Sequence, residues 1–133
     1  MPETRGLNHL GLSVLNLESS ARFFVEGLGW AESGRDTSYP RTAVSDGLVR
    51  LTLWQVDHRL QVEPLNRHKN VGLHHLAFEV ETEDRLNALA QKISAWPDVN
   101  IEFMPELLGK GPRKHMMFLE PGGNRIELIW PGT

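Results

Sequence analysis

The stretch "VGLHHLAFEV", residues 71–80, reads as a strand opened by two adjacent histidines. Successive side chains on a strand point to opposite faces, so His74 and His75 cannot share a role. His74 falls in line with Leu76, Phe78 and Val80, an apolar row that assigns it to packing. His75 falls in line with Ala77 and Glu79 and looks out into something other than core. The pattern also occurs earlier: "LNHLGLSV" (7–14) and "LHHLAFEV" (73–80) agree at Leu7/Leu73, His9/His75, Leu10/Leu76 and Val14/Val80. Trp30 and Trp96 keep the same spacing, so the chain is written twice.

Working outward, a helix is expected in "NLESSARFFVEGLG" (16–29), capped by Asn16. Leu17, Ala21, Phe24, Val25 and Leu28 form its apolar stripe, and Gly27 and Gly29 end it. Strands follow at "RTAVS" (41–45) and "LVRLTLWQV" (48–56), joined by the hairpin signal "DG". In the second half Thr82 caps a helix carrying Leu86, Leu89, Ala90 and Ile93 on one face. Strands are then expected at "NIEFM" (100–104), "KHMMFLE" (114–120) and "RIELIW" (125–130), with "PGGN" (121–124) as the last turn. The expected fold is α+β: one domain over 1–133, made of two βαβββ modules at about 5–57 and about 71–131 with a connection at about 58–70.

Composition narrows the function. A chain of 133 residues, 40% hydrophobic and 23% charged, suits one soluble domain with a real core. A net charge of −3 without a Lys/Arg run gives no reason to expect nucleic acid. The absence of cysteine excludes disulfides, thiolate metal sites and a cysteine nucleophile. No apolar run approaches membrane-spanning length, and "MPETRGLNHL" lacks the apolar centre of a signal peptide. A cytoplasmic enzyme or binding protein for a small molecule is the expectation.

Three residues stand out as a set. The repeat equates His9 with His75 and places both on equivalent strands, projecting onto the same surface. Glu127 is an acid in the middle of the apolar strand "RIELIW", and desolvating a carboxylate without a partner is costly. Two imidazoles and a carboxylate from three strands make a facial triad for a divalent metal, with positions open for substrate. Taken singly, each is more often packed or exposed, and Glu127 has Arg125 as an alternative partner. The loop "PELLGKGPRK" (105–114) reads as a lid whose Lys110 and Arg113 attract an anion, or as an ordinary solvated loop. Trp54 shares a face with Arg50 and Thr52, as a cavity wall or as core.

"GLNHLGLSVLNLESSARFFVEGLGW", "GLHHLAFEV" and "FLEPGGNRIELIW" resemble the signatures of the vicinal oxygen chelate superfamily, across essentially the whole chain. That group includes glyoxalase I, extradiol dioxygenases, fosfomycin-resistance thiol transferases, certain epimerases and the bleomycin-resistance proteins. The resemblance implies paired modules forming a curled mixed sheet around a metal-binding cavity, and a homodimer. It puts the metal ligands on His9, His75 and Glu127, for one divalent ion (Fe, Mn, Zn, Ni or Co). Glyoxalase I carries a further Glu ligand at a place that aligns here with Arg50, which would instead hold a substrate carboxylate or phosphonate, or pair with Glu79. His115 shares a face with Met117 and Leu119 and, like Glu127, is a candidate to move a proton. The family's dioxygenases have a tyrosine where this sequence has Met117. The leading expectation is a metal-dependent enzyme holding two vicinal oxygens of a small anionic substrate, leaning to dioxygenase-like chemistry. A glyoxalase-like isomerase, lyase or epimerase, a thiol transferase, and a metal-free drug-binding protein are the alternatives.

Overall fold

The computed structural model describes all residues, 1–133. Each module is built in the same order. The first has β1 (Leu10–Val14), α1 (Leu17–Arg22) running into a π-helical turn at Phe23–Gly27, then β2 (Ala31–Asp36), β3 (Arg41–Ser45) and β4 (Arg50–Gln55). The second has β5 (Leu76–Glu79), α2 (Glu83–Ser94), β6 (Asn100–Leu107), β7 (Lys114–Leu119) and β8 (Arg125–Trp130). The two four-stranded sheets have the orders β1-β4-β3-β2 and β5-β8-β7-β6. The curled sheet of the expected fold is therefore present as two halves.

The registers of the modules correspond. β1 runs parallel to β4 with Gly11 opposite Thr52, and β5 runs parallel to β8 with Ala77 opposite Glu127. β2, "AESGRD", has no apolar alternation and none of its residues is buried. It is recruited as an edge by antiparallel pairing of Ala31 with Ser45 and Ser33 with Ala43, which is why the pattern alone did not single it out.

The helices differ from the expectation in one informative way. Asn16 caps α1 by accepting from Ser19 N–H at 3.0 Å, but the α-helix stops at Arg22 and the chain widens into a π turn. The extra residue per turn shifts the inward face, so Phe23 is fully buried beside Phe24, their rings edge-on at 5.5 Å. A strict 3.6-residue stripe passes over Phe23. In α2, Thr82 accepts from Arg85 N–H at 3.1 Å, and Leu86, Ala90 and Ile93 face inward.

One apolar cluster joins the modules. It takes Leu12, Val14, Val44, Leu51 and Leu53 from the first sheet, Val80, Met116, Phe118, Ile126 and Leu128 from the second, and the inward faces of both helices. Phe23 reaches across to Phe118 at 5.7 Å, and Trp30 to Phe78 at 5.0 Å. By the pleat, the other face of each sheet is turned away from this shared core. A polar clasp fastens the junction. The Glu120 carboxylate, 1% exposed, accepts from Ser20 Oγ at 2.7 Å and from Gly122 and Asn124 N–H at 2.8 Å each. Leu15 N–H donates to Gly122 O, and Asn124 Nδ2 donates to Ser13 O, both at 3.0 Å. A Cβ at Gly122 would stand 2.2 Å from Ser20 Oγ, so only glycine fits. β1 and β5 are terminal strands, each with one paired neighbour. No helix is long and apolar enough to cross a membrane.

Candidate active site

The outer face of the second sheet holds an imidazole–carboxylate cluster. Glu127 lies on β8 between Ala77 of β5 and Met117 of β7, and is 9% exposed. Its Oε2 stands 2.5 Å from His115 Nδ1, and its Oε1 stands 3.4 Å from His75 Nε2. A carboxylate accepts only, so His115 carries its proton on Nδ1 and leaves Nε2 bare. The Phe103 ring of β6 lies against His115, centroids 4.9 Å apart, and restricts its rotation.

His75 has its own support. Arg125 donates to His74 Nδ1 at 3.2 Å, and a guanidinium donates only, so that nitrogen is an acceptor. His75 Nδ1, 2.8 Å from the same atom, is then the donor of that pair, and His75 Nε2 faces Glu127 Oε1 at 3.4 Å. Burial and the Arg125 guanidinium both lower the His74 pKa, which keeps that ring a neutral acceptor. Arg125 is in turn gripped by Glu102 through two contacts of 2.8 Å, with Arg67 nearby at 3.7 Å. Hydrogen bonding to Arg125 holds the Glu102 carboxyl below its ordinary pKa, and the same pairing raises that of Arg125.

Several expectations need correction. His74 is exposed and hydrogen-bonded rather than packed, because both histidines precede β5 and the strict alternation starts only at Leu76. His9 precedes β1, is exposed, and pairs with Asn8 Oδ1 at 2.8 Å. Within one chain no three His, Cys, Asp or Glu residues gather where they could hold a metal ion. The modules meet through their helices and the Glu120 clasp, and β1 and β5 are not paired with each other. Arg50 is not the counterpart of Glu127. The matched ladders make Thr52 that counterpart and Arg50 the counterpart of Arg125. Thr52 Oγ1 accepts from Trp54 Nε1 at 3.0 Å, so the fourth carboxylate is still missing, at a different residue.

The remaining candidates are distributed as follows. Met117 is buried beside Glu127. Trp54 is half-buried on the outer face of the first sheet, edge-on to Tyr39 at 5.2 Å and under Arg41 at 5.6 Å. Residues 105–107 continue β6, and Leu108 N–H donates to Arg113 O at 2.8 Å, so the supposed lid is a closed hairpin end. Lys110 and Arg113 are exposed at its tip. The residues missed in the sequence are Arg125, Glu102, Phe103 and Thr52. Of these, Arg125 beside an acid two residues on was the one visible signal. A cleft of about 800 Å³ between β1, the connection and the β7–β8 turn is lined by Leu12, Val62, Leu65 and Leu73 and contains none of the site histidines.

Residues 6–128 match the family described as the Glyoxalase/Bleomycin resistance protein/Dioxygenase superfamily. The chain belongs to it. A metapyrocatechase from Pseudomonas sp. (strain CF600) is 32% identical over 120 residues, covering 90% of this chain and 36% of that protein. The chain thus spans about a third of the length of this curated relative. Among solved structures, a glyoxylase/bleomycin resistance protein/dioxygenase domain from Frankia sp. EAN1pec superposes with a TM-score of 0.79 at 21% identity, over 96% of this chain and 93% of that one. A putative glyoxalase from Bacillus halodurans gives a TM-score of 0.76 at 24% identity, covering 94% and 95%. These superpositions speak for the fold.

Proposed function

We propose that this superfamily member is a divalent-metal-dependent enzyme that binds two neighbouring oxygens of a small anionic substrate. The observation that carries this reading is the Glu127 carboxylate, buried on an outer sheet face between His115 and Nε2 of His75. The 3.4 Å between His75 Nε2 and Glu127 Oε1 supports the two as ligands of one ion. We take the third donor to be His9 of the partner subunit, which makes the proposed unit a homodimer with two shared centres. The free edges of β1 and β5, and the exposed Leu7 and Val71 leading into them, supply surface for that pairing. A bound ion at such a centre supplies Lewis acidity and a template for the substrate oxygens.

The chain's own groups do the rest. Glu127 shares its two oxygens between the ligand position and His115, fixing the imidazole with Nε2 free to take a proton from a substrate hydroxyl. His74, held by Arg125, keeps His75 in the tautomer that presents Nε2. Lys110 and Arg113 sit on the hairpin whose legs carry Phe103 and His115, and add positive charge near an anionic substrate. The likeness to a metapyrocatechase supports a lean to dioxygenase-like chemistry over isomerase or lyase chemistry.

The test is metal content of untagged protein by elemental analysis. Wild type should carry near-stoichiometric metal that His75→Ala and Glu127→Ala lose and His68→Ala keeps. Dioxygen uptake with dihydroxyaromatic compounds would then support the oxygenase reading over the isomerase one. A wild type that takes up no Fe, Mn, Zn, Ni or Co would end the enzyme reading in favour of a metal-free binding protein.

A further inference from the structure

Asn8 and His74 occupy the same place in the two modules. The spacing that equates His9 with His75 also equates Asn8 with His74, each standing just before a candidate ligand. β1 begins at Leu10 and β5 at Leu76, so both pairs lie in the approach to a strand rather than within one. On a strand, consecutive side chains point to opposite faces and stay apart. Ahead of the strand they are free to meet, and in both modules they do. His9 Nδ1 stands 2.8 Å from Asn8 Oδ1, and His75 Nδ1 stands 2.8 Å from His74 Nδ1.

The two contacts run the same way chemically. An amide oxygen only accepts, so the proton between Asn8 and His9 belongs to His9 Nδ1. A neutral imidazole protonated at Nδ1 keeps its lone pair on Nε2. In the second module the accepting group is itself an imidazole, which could equally donate. Arg125 decides the matter there by donating to His74 Nδ1 at 3.2 Å. Asn8 needs no such helper, because its oxygen has no proton to give. His9 is exposed, and an unassisted imidazole favours the proton on Nε2, the nitrogen that a ligand must keep bare.

We propose that Asn8 is the positioning residue of His9: by accepting the Nδ1 proton it presets the ring with Nε2 as the bare nitrogen, the part that His74 plays for His75. The proposal rests on the reading above only in making His9 a metal ligand. The tautomer itself is a property of the metal-free chain. Each module thus carries its own device for presenting its histidine, an amide in the first and an arginine-held imidazole in the second.

The experiment reads the tautomer of His9 in metal-free full-length protein from its imidazole nitrogen shifts, at about pH 8, where an ordinary imidazole is neutral. Comparison with His9→Gln identifies the signals. Wild type is expected to show mainly Nδ1–H and Asn8→Ala mainly Nε2–H. Asn8→Asp, which keeps an acceptor oxygen, should resemble wild type. A His9 that is mainly Nε2–H in wild type, or unchanged in Asn8→Ala, would overturn the proposal. Zn²⁺ affinity of the same proteins, by calorimetry, gives a second readout. Asn8→Ala should bind about 10–100-fold more weakly than wild type, and Asn8→Asp at least as tightly as wild type. Equal affinity in Asn8→Ala, or a loss that Asn8→Asp does not restore, would overturn the positioning role. A wild type that takes up no metal ends the enzyme reading, and the proton on His9 then decides this proposal by itself.

Discussion

At the scale of single residues, protons and lone pairs decide what the cluster can do. His115 Nδ1–H is tied to Glu127, so replacing His115 by alanine removes the proton acceptor without touching a ligand position. His115→Ala should lower turnover by about 10²–10⁴-fold when assayed at saturating metal, beyond the about 10–100-fold loss of metal affinity expected from removing a support of Glu127. His74→Ala should instead weaken metal affinity by about 10–100-fold without abolishing it, as loss of a support for a ligand does. Glu102 provides a pH test with a definite sign. Its pKa lies below the ordinary 4.5 in the folded chain, because Arg125 stabilises the charged form. A depressed folded pKa gives stability that is fully present above the ordinary value and is lost as pH falls through the folded one. The stability gap between wild type and Glu102→Gln should therefore be constant from neutral pH down to about 4.5 and shrink below it, in urea titrations at a series of pH values. Part of this scale was legible: Glu127 stands out as an acid in an apolar strand, whereas the alternation that singled out His75 begins only at Leu76. The supports were not, because Arg125, Glu102 and His74 meet through side chains from β8, β6 and the approach to β5.

At the scale of elements, the repeat carried the strand order of both modules, and β3, β4, β7 and β8 lie where the alternation put them. What the pattern could not show was the π turn, since periodicity assumes a constant 3.6 residues per turn, and β2, since a polar edge strand has no pattern to show. Phe23, the residue exposed by that failure, touches Phe24, Trp96 and Phe118. Phe23→Ala should cost about 3–5 kcal/mol in denaturant unfolding. The Glu120 clasp is the other element-level feature. Glu120→Ala leaves the Ser20 hydroxyl and the Gly122 and Asn124 N–H groups without their buried acceptor and should cost about 3–5 kcal/mol. Alanine at exposed Glu81 should change stability by no more than about 0.5 kcal/mol. A mild effect at Glu120 would mean that the junction is held by its apolar contacts alone.

At the scale of the whole molecule, sequence symmetry suggested that the two histidines share a surface, and no metal-holding group forms within one chain. Pseudo-symmetry relates residues without saying whether related faces meet inside a chain or between chains. That depends on how the helices pack, and here Phe23, Trp30 and Glu120 bind the modules through their inner sides. A homodimer with shared centres, as proposed, would bring His9 of one subunit to His75 and Glu127 of the other. The direct test mixes two inactive variants, His9→Ala and Glu127→Ala, after dissociation and reassociation, and measures bound metal. With ligands shared between subunits, each heterodimer regains one intact centre, and an equal mixture should recover about a quarter of wild-type metal content. If all three ligands instead met within one chain, no subunit in the mixture would hold a complete set, and metal content would stay at the level of the separate variants.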